Sequence, residues 1–271
     1  MMQEKTGDSL KSKDERRLYS DMAWIWPIVS PPEDYVEECG VYARLLHQHA
    51  HIPVRSLLHL GCGGGHHDHS LKSFFSLTGV DISPAMLALA QRINPEVSYE
   101  QGDMRSVQLD RLFDAVVLLD SVGYMKSEDE LAAAFRTAHH HLRSGGVLLT
   151  VAEDRSDRFV QNGLGFSLHK QGEVEIVFIE NTYDPDPADT VMEKTFLYII
   201  RTKGALEVVT DRHECGLFPL RTWRRLLSES GFKVIEEEFR LSTPPDDHVY
   251  PLFIGLKRQM SFRQNIGLKK M

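Results

Sequence analysis

The 271-residue chain has no apolar run approaching the roughly 20 residues that carry a helix across a bilayer. Its first residues are too polar for a signal peptide, so no membrane role and a cytoplasmic location are expected. Cysteine is scarce. Cys39, Cys62 and Cys215 stand far apart, without the spacing of a zinc site, and read as reduced thiols. Positive charge is in deficit as well: 39 acidic residues against 31 basic ones leave a formal net charge of −8. That balance argues against a nucleic-acid-coating surface. The hydrophobic fraction of 42% and charged fraction of 26% are those of a globular protein. At this length they suit one large domain, or a domain with an insertion.

Against these absences, residues 56–81 stand out. Leu57, Leu58 and Leu60 form a short apolar run ending in Gly61-Cys62-Gly63-Gly64-Gly65, and Thr78-Gly79-Val80 forms another ending in Asp81. Two buried strands with a glycine turn after the first and an acid after the second make the nucleotide-binding half of an open α/β sheet. A dinucleotide site requires G-x-G-x-x-G. Counted from Gly61 the last position is His66, and from Gly63 it is Asp68, so both readings fail. The simpler G-x-G-x-G is satisfied. The acid follows the turn at about the 20 residues expected of a ribose-binding carboxylate.

Along the chain, residues 1–17 are charged and lack periodicity, and Tyr19, Trp24 and Trp26 then cluster before Pro31-Pro32. This aromatic segment reads either as a lid over the site or as a hydrophobic staple. Helices are expected over 33–51, over 84–93 with Ser83 as N-cap and Pro84 first, and from the capping box Ser127-Glu128-Asp129-Glu130 to about Leu142, stopped by Gly145-Gly146. The β-rich runs 166–169, 174–181, 191–202 and 206–213 predict a small antiparallel sheet inserted after the fifth strand. A helix over 222–230 and strands over 232–239 and 250–256 close the main sheet. The expected fold is α/β, a Rossmann-like seven-stranded mostly parallel sheet with an inserted small antiparallel β-sheet. Its division is 1–52 (lid and helix), 53–152 with 219–258 (nucleotide-binding domain), 153–218 (insert) and 259–271 (a basic, patternless tail).

The G-x-G-x-G turn resembles that of the class I S-adenosylmethionine (SAM) methyltransferases. Three further stretches agree in order and spacing: residues 99–104 ending in Asp103-Met104, residues 113–119, and residues 142–149. From residue 56 to about 255 the chain is similar to sugar N,N-dimethyltransferases, through Gln101-Gly102-Asp103-Met104-Arg105, Ser121-Val122-Gly123-Tyr124, and His213 followed by Leu217-Phe218. The resemblance implies SAM as cofactor and S-adenosylhomocysteine as product. It places Gly61 at the methionine part, Asp81 at the ribose, and Asp103 and Met104 at the adenine, with Cys62, Gly63, Ile82 and Leu119 also among the cofactor-binding residues. Tyr19 and Trp24 would lie over the cofactor, and Tyr124, His213 and Glu153 would face the substrate. The family's acid at the start of the turn is His59 here, its Trp-Trp-Phe becomes Asp154-Arg155-Ser156, and residues 27–34 carry an insertion.

Methyl transfer from a sulfonium needs orientation and exclusion of water, and an amine acceptor must be neutral to attack. Tyr124, His213 or Glu153 would take its proton, and aromatic faces would stabilise the sulfonium. The histidine groups 47 and 49, 66, 67 and 69, and 139–141 match no zinc spacing. They read as solvated helix faces, with no metal expected. Residues 120–124 lack the prolines of the loop with which nucleic-acid amino-methyltransferases hold a flipped base. The sequence therefore reads as a SAM-dependent methyltransferase of a small molecule, an amine and an aminosugar in the first instance. The alternatives are O-methylation of another metabolite and SAM binding without turnover. A homodimer is compatible with it.

Overall fold

The computed structural model describes residues 16–242 and 249–258. Three short turns of helix, Arg17–Tyr19, Ala23–Ile25 and α1 (Trp26–Val29), lead through Pro32–Tyr35 into α2 (Val36–His49). Then follow β1 (Ser56–Leu60), α3 (His66–Leu71), β2 (Ser76–Asp81), α4 (Pro84–Ile93), β3 (Ser98–Gln101), β4 (Phe113–Leu118), α5 (Glu128–His141) and β5 (Leu142–Val151). Four long strands come next: β6 (Gly163–Gln171), β7 (Val174–Tyr183), β8 (Val191–Thr202) and β9 (Ala205–Gly216). The chain closes with α6 (Leu220–Glu229), β10 (Phe232–Phe239) and β11 (Tyr250–Lys257). No helix among the described residues is long and apolar enough to cross a membrane.

The larger sheet has seven strands in the order β10-β11-β5-β4-β1-β2-β3, and the smaller has four in the order β6-β7-β8-β9. In the larger sheet β1 to β5 pair in parallel, whereas β11 pairs antiparallel to both β5 and β10. Strand alternation divides its core in two. Leu58, Leu60, Val116 and Leu118 pack with Leu131, Phe135 and Trp223 of α5 and α6. Their neighbours Leu57, Ala115 and Val117 pack with Tyr42, Leu45 and Leu46 of α2. A third cluster joins the two sheets. Leu18, Met22, Ile25 and Val29 lie among Met86 and Leu89 of α4 and Ile176, Phe196, Tyr198, Ile200 and Val209 of the small sheet. The aromatic N-terminal segment is thus clamped between both units.

Two expectations are corrected. The first turn of the helix expected over 33–51 is a 3-10 turn, and α2 starts at Val36. Gly145 and Gly146 do not stop α5: it ends at His141 and the chain enters β5 at Leu142, with the glycines inside that strand. The β4–β5 register shifts beside them, and a Cβ on Gly146 would meet the Asp114 carbonyl at 2.7 Å. Ser127 caps α5 as expected, its Oγ accepting from Glu130 N. The Glu130 side chain accepts instead from Lys126 N, one residue before the expected partner. Residues 1–15 and 259–271, read as a frayed start and a patternless tail, lie outside the described residues.

Asp114 ties the bottom of the sheet. Its Oδ2 accepts from Arg55 N at 3.0 Å, Ser56 N at 2.9 Å and Ser56 Oγ at 2.9 Å, and Oδ1 accepts from Arg143 at 2.7 Å. Burial acts to raise this carboxyl, but those donors outweigh it and hold it below the ordinary value of 3.8. A depressed folded-state pKa stabilises the fold above the unfolded value, and that contribution is lost as pH falls through the folded one. Asp114→Asn is expected to cost about 1–3 kcal/mol at pH 7. In urea unfolding the difference from wild type should shrink as the pH falls below the ordinary carboxylate value of 3.8, which a denaturation series from pH 7 into the acid range reads directly.

Candidate active site

The carboxyl ends of the parallel strands converge on one edge of the sheet, where open α/β sheets bind ligands. Gly61 follows β1, Asp81 ends β2, Gly102 and Asp103 follow β3, and Leu119 to Ser121 follow β4. Gly61, with φ of +78°, is held by two constraints at once: a Cβ there would stand 2.4 Å from Met104 Cε and 2.7 Å from Ser121 Cβ. The turn therefore passes flat beneath those side chains. Asp81 Oδ2 accepts from Gly63 N at 2.8 Å and Oδ1 from Ser83 N at 2.9 Å, which aims the carboxylate at the open edge. Burial pushes its carboxyl above the ordinary range, against those two N–H donors.

A cavity of about 560 Å³ opens here, bordered by Tyr19, Gly61, Asp81, Ile82, Asp103, Met104 and Tyr124. Past Gly61 lies a smaller one of about 40 Å³, bordered by Cys62, Gly63, Leu119, Ser121 and three histidines, with Tyr19, Trp26 and Tyr35 over it. Asp103 is gripped by Arg105, whose Nε lies 3.0 Å from both carboxylate oxygens, and this holds the acid below its ordinary range. The cavity's size, a buried ribose-type acid and a turn that excludes any Cβ fit a nucleoside with a short tail, and so fit SAM.

One hydrogen-bonded chain runs from this cavity into the small sheet. Tyr19 Oη lies 2.9 Å from Tyr124 Oη, which lies 2.6 Å from His213 Nδ1, and His213 Nε2 lies 2.8 Å from Asp211 Oδ2. His213 and Asp211 have no exposed side-chain surface. Asp211 also accepts from Arg17 N at 2.8 Å and Leu18 N at 2.6 Å. Burial acts to raise its carboxyl, but His213 and the two backbone donors bring it below the ordinary range. An ionised carboxylate only accepts, so Nε2 donates to Asp211, and in the neutral imidazole Nδ1 is then the lone pair that faces the Tyr124 hydroxyl. Tyr19 then donates to Tyr124, and the Tyr19 oxygen keeps its lone pairs for the cavity. Burial pushes both phenols well above their ordinary value, so both stay protonated.

Of the residues singled out in sequence, Tyr19, Gly61, Asp81, Ile82, Asp103, Met104 and Tyr124 border the main cavity. Cys62, Gly63 and Leu119 border the smaller one, and His213 stands behind Tyr124. Two residues lie elsewhere. Trp24 is 47% exposed and borders neither cavity, because Ala23 and Ile25 take the buried positions of its helical turn; Trp26 borders the smaller cavity instead. Glu153 also borders neither. It is exposed, and desolvation acts with Asp120, Asp154 and Glu180 around it to raise its carboxyl, against Lys194. The histidines at 66 and 67 are not a solvated face: both are buried, and His69 alone of that group is exposed. Among the described residues no cluster of three or more His, Cys, Asp or Glu side chains is placed to hold a metal ion. Sequence reading missed Asp211, although Asp-x-His on a strand puts both side chains on one face.

Comparison with known proteins agrees with the fold and the cofactor. A methyltransferase-domain family model matches residues 57–146. The chain is 39% identical over 119 residues to the dTDP-3-amino-3,4,6-trideoxy-alpha-D-glucopyranose N,N-dimethyltransferase of Streptomyces venezuelae, a match covering 43% of this chain and only half of that relative's length. It is 36% identical over 204 residues to the dTDP-3-amino-3,6-dideoxy-alpha-D-glucopyranose N,N-dimethyltransferase of Streptomyces fradiae, covering 74% of this chain and 79% of the relative. The solved structure of Streptomyces venezuelae DesVI superposes with a TM-score of 0.75 over 92% of this chain and 100% of that one, at 23% identity, which establishes a common fold. Identity of this order across most of both chains settles the kinship: the protein belongs to the class I SAM-dependent methyltransferases, in the family of the sugar N,N-dimethyltransferases.

Proposed function

We propose that the protein methylates the amine of an aminosugar, carried as a nucleotide conjugate like the substrates named for its relatives. The observation that carries this reading is the chain Tyr19–Tyr124–His213–Asp211, which opens on the cofactor cavity. SAM bound there would supply an electrophilic methyl group with a neutral thioether, S-adenosylhomocysteine, as its leaving group. In this reading Asp81 holds the ribose hydroxyls, Ile82, Asp103 and Met104 enclose the base, and the turn 61–63 with Leu119 encloses the tail. An alkyl ammonium cannot attack until it loses a proton. The Tyr19 oxygen accepts that proton while Tyr19 passes its own to Tyr124 and Tyr124 passes its own to His213 Nδ1. One proton leaves the acceptor, and one imidazolium forms beside the Asp211 carboxylate. Such an arrangement favours turnover on an amine over mere cofactor binding.

The small sheet supports a second part of the proposal, a homodimer. Its inward face is covered by the N-terminal segment, whereas its outward face carries Leu164, Phe166 and Leu168 of β6, Val177 and Ile179 of β7, Leu197 and Ile199 of β8, and Leu206 and Val208 of β9. Phe166 is 74% exposed and Leu168 72%. A contiguous apolar face of this size marks an interaction surface. Its centre is uncharged and its margin holds both signs, Lys170 paired with Glu175, so that it is self-complementary about a two-fold axis.

Three measurements test these proposals. Removing the ribose acid by Asp81→Ala should weaken S-adenosylhomocysteine binding in calorimetry by about tenfold to a hundredfold, from hydrogen bonds to a charged group of about 1.5–3 kcal/mol. Tyr124→Phe breaks the proton path. Turnover of a dTDP-aminosugar should fall roughly a hundredfold at neutral pH with S-adenosylhomocysteine affinity kept, and the deficit should shrink at a pH where the amine is already neutral. An unchanged rate would remove the relay from the mechanism. Phe166→Glu with Leu168→Lys should convert a dimer to a monomer in sedimentation analysis; a wild type that sediments as a monomer refutes the dimer.

A further inference from the structure

The small cavity beyond Gly61 is lined by polar groups that the protein itself leaves unanswered. His59, on β1, is almost completely buried. Its Nδ1 lies 2.7 Å from Asp68 Oδ1, and Asp68 accepts from the Tyr99 hydroxyl at its other oxygen. Asp68 in its ionised form only accepts, so Nδ1 donates to it, and in the neutral imidazole Nε2 is then a lone pair. That Nε2 is buried and has no hydrogen-bond partner. His66, at the start of α3, is 2% exposed, and neither of its ring nitrogens has a partner. Its ring stands edge-on to Trp26 with centroids 5.8 Å apart, and Gly64 backs it so closely that a Cβ there would meet His66 Cε1 at 2.8 Å. Burial pushes His66 down to about 4, so at neutral pH it offers one N–H and one lone pair.

Two buried imidazoles without partners on one small cavity are costly to maintain unless a ligand completes them. The cavity adjoins the nucleoside site across Gly61 and shares Tyr19, Gly61 and Ser121 with it. At about 40 Å³ it holds a compact polar group and not a ring system. We propose that His59 and His66 are the receptor for the α-amino-carboxylate end of the cofactor, His59 Nε2 accepting from the ammonium and the His66 N–H donating to the carboxylate. Asp68 and Tyr99 hold His59 in the tautomer this requires and are positioning residues. The inference rests on the methyl-transfer reading and deepens it: here an imidazole backed by a buried carboxylate stands at the start of the turn, where the resemblance implies an acid.

The experiment compares two ligands by calorimetry on the full chain. S-adenosylhomocysteine carries the amino acid end, and 5′-methylthioadenosine has the same nucleoside and sulfur without it. His59→Asn keeps an N–H for Asp68 and removes Nε2; His66→Phe keeps the ring against Trp26 and removes both nitrogens. Each is expected to weaken S-adenosylhomocysteine about tenfold while leaving methylthioadenosine unchanged, and His59→Gln, which restores a polar group near Nε2, should recover part of the loss. Equal losses for both ligands would assign the histidines a structural role and overturn the proposal, as would unchanged binding of both. If His59→Asn fails to fold by circular dichroism, His66→Phe makes the same comparison alone. A wild type that binds neither nucleoside would overturn the methyl-transfer reading as well, whereas one that binds S-adenosylhomocysteine independently of these histidines overturns the receptor alone.

Discussion

A carboxylate with no solvent contact has to be fully answered by donors, and Asp211 is answered from three directions. Arg17 N and Leu18 N belong to the N-terminal segment, and His213 belongs to the inserted sheet. The donors that satisfy the charge also join two parts of the chain nearly 200 residues apart in sequence. Remove the segment and a buried anion loses two partners, which costs far more than the contacts alone suggest. The clamp between the sheets and the orientation of His213 both follow from this one charge.

The nucleotide-binding half was legible in sequence because local constraints fix it. Strand alternation, a turn in which Gly61 admits no side chain, and the interval to Asp81 are properties of neighbouring residues. Capping at Ser83 and Ser127 was equally local. What failed depended on partners distant in sequence. Gly145 and Gly146 look like a helix stop, yet their place is set by the close approach of the β4 backbone. Trp24 and Trp26 cannot be ranked by composition, since which one faces inward depends on the phase of three short helical turns. The histidine pair 66–67 looks solvent-facing until α2 and the aromatic segment cover it.

The inserted sheet does two jobs with its two faces. One receives the N-terminal segment and delivers His213 and Asp211 to the site, and the other is apolar and open. An antiparallel sheet can serve both because alternate residues of each strand answer to different neighbours. The parallel sheet has no such freedom: both its faces are covered by helices, so its chemistry is confined to its carboxyl edge.

Ser83 has a consequence for how the two ligands influence each other. Its N–H donates to Asp81, its Oγ donates to the Tyr19 carbonyl at 2.6 Å, and the same Oγ caps α4 through Met86 N. One residue thus stands between the ribose acid and the tyrosine at the mouth of the proton path. Thermodynamic reciprocity requires any effect carried through this residue to be the same in both directions. In the proposed mechanism nucleoside and acceptor therefore meet at a single hydrogen-bonded junction, and any coupling between them through Ser83 is the same whichever arrives first.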